Sequence, residues 1–373
     1  MKILIVGAGI GGLTAALALS RAGHEVDLVE RTPRFAAVGA GLILAPNAAL
    51  ALASLGVSLE GRAHALPFLE VTRADGTRLS RIDPGAAEVA RSGIWALARA
   101  ELHAALTAQL PPAVRVRLGT SLSGLQGDAS GVDVQLNGAS ERFELVLGAD
   151  GLHSAVRAAL FGELPLRYTG TTCWRGLTQN FGLRGALEAW GGAARVGVVP
   201  LPDERLYYYL VCAAPRAAPA PGFPTEFKAR FASFRAGLEP LFAGLTREPE
   251  LRHDLLELDA PVWGQGRVLL LGDAAHAMTP NQGQGAAMAI EDALALTRVL
   301  GAGTGDALER YRALRHARVR QVQLDSRRLG RVAHWQNPLA RFGRDLLMRA
   351  LPDAAATARY ARVVQPGLEL LAG

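Results

Sequence analysis

The sequence predicts an α/β protein: a doubly wound parallel sheet, an antiparallel β-sheet inserted into it, and helices at the carboxyl end. Three observations predict this class. The chain opens with an apolar strand, a glycine turn, a helix and a second strand within about thirty residues. Two further apolar strands, near Leu145 and Val268, each run into a glycine and an aspartate. Between them, from about residue 166 to 262, the pattern changes to strand-like runs joined by turn residues.

The first strand, Lys2–Val6, is apolar almost throughout, as a strand covered on both faces of a parallel sheet is. Leu13–Arg21 is an Ala/Leu-rich helix and Glu25–Glu30 the returning strand. Between strand and helix, Gly7, Gly9 and Gly12 form G-x-G-x-x-G. Gly7 permits the tight turn, Gly9 lets a pyrophosphate approach the backbone, and Gly12 lets helix and strand pack closely. The free N–H groups and positive end of the helix stabilise the phosphates. Glu30 stands 18 residues after Gly12, where a carboxylate accepts hydrogen bonds from an adenosine ribose. NAD and FAD are both open at this point.

The strands Leu145–Leu147 and Val268–Leu271 lead into two more turns. LVLGADGLHSAVR carries Gly148, Asp150, Gly151, Ser154 and Arg157, and VLLLGDAAHAMTPNQGQGAAMAIEDA carries Gly272, Asp273, Pro280, Gly283 and Gly285. Asp273 falls just past a buried strand, at the carboxyl-edge crevice where open α/β sheets bind ligands. A helix beginning near Ala286 offers N–H donors and positive potential to the negative pyrimidine edge of a reduced flavin. NAD has no part that needs this third site, so the three signals together favour FAD. In the inserted segment, Arg195–Val199 and Tyr207–Cys212 are strands around the turn sequence PLPDER. Pro338 and Pro352 interrupt the carboxyl-terminal helices.

Composition excludes several classes. With 373 residues, 50% of them hydrophobic and 20% charged, the chain is not largely disordered. Its two cysteines, Cys173 and Cys212, make neither a disulfide scaffold nor a C-x-x-C site, and the eight histidines never pair at ligand spacing. No metal is expected. No apolar run reaches the ~20 residues that span a bilayer, and the opening strand does not suit a signal peptide, so a cytoplasmic protein is expected. The net charge of +6 is uneven: from Arg298 onward there are fourteen arginines against six acids. Nucleic-acid binders show such a bias. However, Tyr311, Leu314, Val322, Leu329 and Val332 share one helical face that leaves most arginines outside it. The segment reads as an amphipathic helix with a solvated basic face, and no nucleic-acid partner is expected.

On these residues nearly the whole chain resembles the single-component (class A) FAD-dependent aromatic hydroxylases, the family of para-hydroxybenzoate, salicylate and urate hydroxylases. The matches are the opening motif with Glu30-Arg31, the DG stretch around Asp150 and the stretch GDAAHAMTPNQGQG. Arg99 in LARAELHAAL also matches, where the family's arginine opens a helix and meets the FAD phosphates, as does Val38–Ala48 beside the flavin. The resemblance implies that NADH or NADPH reduces FAD, that molecular oxygen adds to it as a hydroperoxide, and that one oxygen atom passes to a small aromatic or heteroaromatic ring. It also implies FAD contacts from Gly7, Gly9, Gly12, Glu30, Arg31, Arg99, Asp150, Asp273, Gly283, Gln284, Gly285, Ala286 and Ala287. Ala287 stands where many relatives carry asparagine. Asp150 is expected to organise the backbone near the phosphates, and Asp273 to meet a ribityl hydroxyl. The expected division is a discontinuous FAD-binding Rossmann-like domain (1–70, 96–165 and 263–335), a substrate-binding β-sheet domain (71–95 and 166–262) and a helical segment (336–373). No second dinucleotide fold is expected, since GAGTG at Gly301–Gly305 follows a helix and reads as a loop.

The inserted sheet is expected to cover the flavin, with Trp174, Arg175, Arg195 and Tyr207 as candidate substrate contacts. By resemblance to the urate hydroxylases, Arg195 holds or polarises an anionic substrate and Tyr207 orients or deprotonates it. His276 and His153 read as structural histidines rather than bases. Two other readings stay open. One is a flavin epoxidase or tailoring oxygenase of a larger secondary metabolite. The other is a non-catalytic nucleotide-binding protein with a basic, partner-binding carboxyl-terminal helix. A halogenase is not expected, because no W-x-W-x-I-P segment is present. A monomer or homodimer is expected.

Overall fold

The computed structural model describes residues 1–35, 40–86, 93–235, 237–249, 251–303 and 305–372. Strand β1 (Lys2–Val6), helix α1 (Ile10–Arg21) and strand β2 (Glu25–Glu30) form the opening unit, with β1 and β2 parallel. Ile3, Leu4 and Ile5 are fully buried, because helices cover one face of the sheet and a second β layer the other. Strand β3 (Gly41–Leu44) pairs antiparallel with Trp95–Ala98, which runs straight into helix α2 (Arg99–Ala108). Strand β4 (Leu145–Gly148) and helix α3 (Ala155–Phe161) complete the second turn. Next come β5 (Arg167–Gln179), β6 (Ala186–Trp190), β7 (Ala194–Pro200), β8 (Arg205–Ala213) and β9 (Leu251–Glu257). Strand β10 (Val268–Leu270) returns to the first sheet and is followed by helices α4 (Gly285–Gly301), α5 (Ala307–Ala333), α6 (Pro338–Ala350) and α7 (Asp353–Ala372).

The first sheet runs Gly264–Gln265, β10, β4, β1, β2, Arg115–Leu118, and only the Gly264–Gln265 edge is antiparallel. Chain order reverses about β1, so the carboxyl ends of β1, β4 and β10 open onto one crevice. The second sheet runs β9, β5, β8, β7, β6, Leu69–Arg73, Arg78–Ile82. It is antiparallel except where β6 meets Leu69–Arg73. Its pleat sends alternate residues to opposite sides. Val196, Val198, Leu206, Tyr208 and Leu210 pack outward against Phe227, Phe231 and Phe234. Val199, Leu201 and Tyr207 pack inward with Ala40, Ala96 and Ala98, next to β3 and the start of α2.

Helix α5 corrects one expectation. Tyr311 and Val322 are buried as expected, but Leu314 is 39% exposed and Arg315 is buried. The buried face carries Ala307, Tyr311, Arg315, Val319, Val322 and Ser326. A count of apolar positions misses a core position held by an arginine, so the predicted face overlaps the buried one only in part. The basic face is also less solvated than expected, since Arg315, Arg318 and Arg327 all make ion pairs with buried carboxylates. Gly301 ends α4 in a turn, as read from the sequence, although Thr304 lies outside the described residues.

Candidate active site

Three turns meet at the carboxyl ends of β1, β4 and β10. Gly7 has a φ of +104°, and a Cβ there would lie 2.6 Å from the Ala149 carbonyl oxygen, so the first turn rests on the second. At Gly11 an added Cβ would lie 2.7 Å from the Leu271 side chain and 3.1 Å from Ala289, so the same turn also meets the third strand and α4. Gly12 is the tightest position, with an added Cβ 1.9 Å from the Gly7 carbonyl oxygen. Gly9 is the opposite case: nothing lies within 4 Å of a Cβ there. It opens the backbone onto free space at the N-terminus of α1, which has no side-chain cap.

The acids around these turns are held by backbone donors. Glu30 accepts hydrogen bonds from the Ala8 and Thr32 amides, both at 3.0 Å, and from the Thr32 hydroxyl at 3.1 Å. Burial pushes its carboxyl up, but these bonds and Arg31 hold it below the ordinary value. Asp150 caps α3, accepting from the Ala155 amide at 2.7 Å, the Val156 amide at 3.1 Å and the Ser154 hydroxyl at 2.5 Å. It thereby fixes the backbone at the start of α3. Arg157 then staples the second turn to the third, donating to the Leu152 carbonyl at 2.6 Å and the Ala274 carbonyl at 2.9 Å. Asp273 opens a short helix with its side chain exposed.

The third turn ends at Gly283, in the left-handed region with φ +64°, before Gly285 starts α4, whose N-terminus also lacks a side-chain cap. An added Cβ at Gly283 or Gly285 meets nothing within 4 Å. Gln284 and Ala287 are buried, Ala286 partly so, while Arg31 and Arg99 are exposed, Arg99 as the first residue of α2. Of the segment Val38–Ala48, Val38 and Gly39 lie outside the described residues. Two uncapped helix N-termini, a carboxylate beside the first and glycines that leave room at each fit the diphosphate, ribose and flavin of FAD.

Beneath α4 lies a buried polar network that the sequence reading did not identify. Asp292 accepts from the Gly272 amide at 2.9 Å, pairs with His276 Nε2 at 2.6 Å and accepts from Arg315 Nε at 2.8 Å. Glu291 accepts from Arg315 at 2.6 Å and from Asn47 at 2.6 Å, and Asn47 also donates to Gln284 Oε1 at 3.2 Å. The signal is two adjacent acids, Glu291 and Asp292, in the otherwise apolar run Ala286–Leu296. His276 is thereby a structural ligand of Asp292, in line with the sequence reading, and His153 is exposed.

On the inner face of the second sheet, Tyr207 packs against β3, where a Cβ on Gly41 would lie 2.5 Å from the tyrosine ring. Burial pushes the Tyr207 hydroxyl up to about 12, against the pull of the Arg175 and Arg99 guanidiniums. Arg175 lies opposite Tyr209 and diagonal to Tyr207 on the same face. Arg195 is buried and donates through both terminal nitrogens, to Glu188 Oε1 at 2.9 Å and to Asn281 Oδ1 at 2.8 Å in the loop that precedes Gly283, while its Nε has no partner among the described residues. Tyr209 donates to the other Glu188 oxygen at 3.0 Å. A carboxylate therefore already faces the guanidinium expected to receive an anionic substrate. Glu188 escaped the sequence reading because strand pairing, not chain proximity, brings it to Arg195. Trp174 is a correction. It turns outward into the phenylalanine cluster, with ring centres 5.5 Å from Phe227, because the pleat alternates it with inward Arg175.

Glu30→Gln is expected to weaken FAD binding about tenfold, since a charge-assisted hydrogen bond is worth ~1.5 kcal/mol. Fluorescence titration of flavin-free protein measures it, and unchanged affinity would remove Glu30 from the ribose site.

Comparison with known proteins matches residues 1–212 and 254–326 to the FAD binding domain family. The chain is 36% identical over 378 residues to aurachin C monooxygenase/isomerase of Stigmatella aurantiaca, covering 98% of each protein. It is also 36% identical over 379 residues to 2-heptyl-3-hydroxy-4(1H)-quinolone synthase of Pseudomonas aeruginosa, covering 97% of each. The fold is similar to that of Klebsiella pneumoniae HpxO complexed with FAD and uric acid, with a TM-score of 0.90 and 27% identity over 98% of this chain and 97% of that one. These matches favour the oxygenase reading over a nucleotide-binding protein without turnover. The chain belongs to the class A FAD-dependent aromatic hydroxylases and is an FAD monooxygenase that draws its electrons from NAD(P)H.

Proposed function

We propose that this monooxygenase hydroxylates a heteroaromatic ring carrying an oxygen substituent, with the 4-quinolones as the first class to test. The reading is supported by the names of the relatives and carried by one observation: Arg175 and Tyr207 share the sheet face packed against β3. FAD, when bound, supplies reduction by NAD(P)H and the activation of oxygen. The residues of the sheet do the rest. Among the described residues Arg175 makes no ion pair, and its Nε has only the Cys173 sulfur at 3.5 Å. It is an uncompensated cation in a largely dry place, suited to a ring oxygen that gains negative charge as the ring becomes more nucleophilic. Tyr207, with its hydroxyl pushed up to about 12, stays protonated at neutral pH and donates a hydrogen bond that orients the ring. Arg195, neutralised by Glu188, positions the sheet over the loop through Asn281. Two buried free thiols, Cys173 and Cys212, support a reducing, cytoplasmic setting. We infer a monomer or homodimer whose FAD is held by the residues of the three turns.

The test is a panel of 4-quinolones, phenolic acids, nicotinates and purines, screened for stimulation of NAD(P)H oxidation with the product identified by mass. Tyr207→Phe is expected to retain FAD but lose about tenfold in hydroxylation, with reducing equivalents diverted to peroxide. Arg175→Met is expected to raise KM by about 10- to 100-fold, the range of a lost hydrogen bond to a charged group. Coupled turnover unchanged in both variants would move the substrate off this sheet face.

A further inference from the structure

Helix α6 is oriented with its polar side inward and its apolar side outward. Leu339 is 81% exposed, Phe342 67%, Leu346 59% and Leu347 63%, and Leu351 just past the helix is 53% exposed. They form an apolar stripe along a helix about 20 Å long. The opposite side is charged and buried. Arg344 lies over the Trp190 ring at 5.0 Å, donates to the Val332 carbonyl at 2.9 Å and pairs with Asp345. Asp345 also pairs with Arg73 at 3.6 Å. Packing in the body of the protein thus fixes the apolar stripe outward. Monomers seldom leave so many large apolar side chains together in water.

Charge decides what fits this stripe. Arg73, Arg341 and Arg349 line one open depression with Phe342 and Leu346. Arg341 and Arg349 make no ion pair among the described residues. Asp345 is the only acid of α6 and is already used by Arg344 and Arg73. Asp353, at the start of α7, is used by Arg78 and the Arg81 amide. A second copy meeting this face through a two-fold axis would set these arginines against their own images with no free carboxylate between them. An apolar stripe edged by guanidiniums matches the boundary between acyl chains and anionic headgroups, where such helices lie flat.

We propose that α6 docks the enzyme on an anionic lipid surface, with Phe342, Leu346 and Leu347 in the acyl boundary and Arg341 and Arg349 on the phosphates. The helix is too short to span a bilayer, and among the described residues no helix is long and apolar enough to do so. The association is peripheral and sensitive to salt.

The test is flotation of the FAD-loaded protein with phosphatidylcholine vesicles, with and without phosphatidylglycerol. Binding is expected only to the anionic vesicles. Arg349→Ala is expected to weaken it about fivefold, the loss of one basic residue at the surface. Leu346→Asp is expected to weaken it more than about tenfold, since it removes apolar area and adds repulsion. Both side chains are exposed, so FAD content and turnover of a water-soluble substrate should match wild type. Failure of the wild type to float with anionic vesicles overturns the proposal, as does equal flotation of Leu346→Asp. A dimer in sedimentation velocity that Leu346→Asp splits, with no vesicle binding, assigns the stripe to a second copy instead.

Discussion

Gly12→Ala is expected to yield poorly folded, colourless protein. The added Cβ would stand 1.9 Å from the Gly7 carbonyl oxygen, 3.1 Å from its carbon and 3.3 Å from the Ala149 side chain. None of these is the end of a flexible side chain, so relief requires α1 to move away from β1. Overpacking of this kind costs about 1–3 kcal/mol or more. The same movement carries the α1 N-terminus away from the place where it would meet phosphate. Gly9→Ala provides the contrast. Its Cβ meets nothing within 4 Å, so the flavin-free protein should fold with an unchanged melting temperature. FAD affinity should nonetheless fall, because the methyl enters the space that the diphosphate needs. Melting curves with and without FAD separate the two variants. A Gly9→Ala protein that binds FAD as tightly as wild type would mean that the diphosphate does not pass this turn.

Arg315→Met is expected to cost about 3–5 kcal/mol, the usual cost of leaving buried charge without its partner. Arg315 touches Glu291 at 2.6 Å and Asp292 at 2.8 Å, and all three are buried. Burial raises the Asp292 carboxyl, but His276, Arg315 and the Gly272 amide bring it down to about 2. Its folded-state value is therefore below its unfolded one. The stability it contributes is complete above the ordinary carboxylate range and is lost as pH falls towards about 2. Removing Arg315 raises the folded value, so acid unfolding should begin at a higher pH. Thermal melts from neutral to acid pH measure both effects, and a variant whose curve parallels wild type would exclude the linkage. Asp292 also holds the Gly272 amide at the third turn, so FAD binding should weaken together with stability.

The turns were legible because each is a backbone demand that few residues satisfy. Gly7 needs positive φ, Gly12 needs the absence of Cβ, and Gly283 needs the left-handed region. Such demands leave a mark at fixed spacing. Arg315 was illegible for the opposite reason. A core arginine is recognised only through partners on another helix, and Glu291 lies 24 positions away. The sequence alone offers Trp174 and Arg175 alike, although the pleat sends neighbours to opposite faces and only the register with β8 shows which points inward. The sequence places α6 only within a helical end segment, 336–373. Its periodicity locates an apolar side, but only the Arg344 and Asp345 contacts show that this side faces out.

The most direct test of the oxygenation account uses labelled molecular oxygen. FAD-loaded enzyme, NAD(P)H and a stimulating heteroaromatic substrate are incubated under it, and the product mass is read against NAD(P)H consumed. The account predicts one labelled oxygen atom in the ring product for each NAD(P)H oxidised. A product that carries no label, its new oxygen having come from water, or NAD(P)H oxidation that ends wholly in peroxide with every substrate tried, would contradict it.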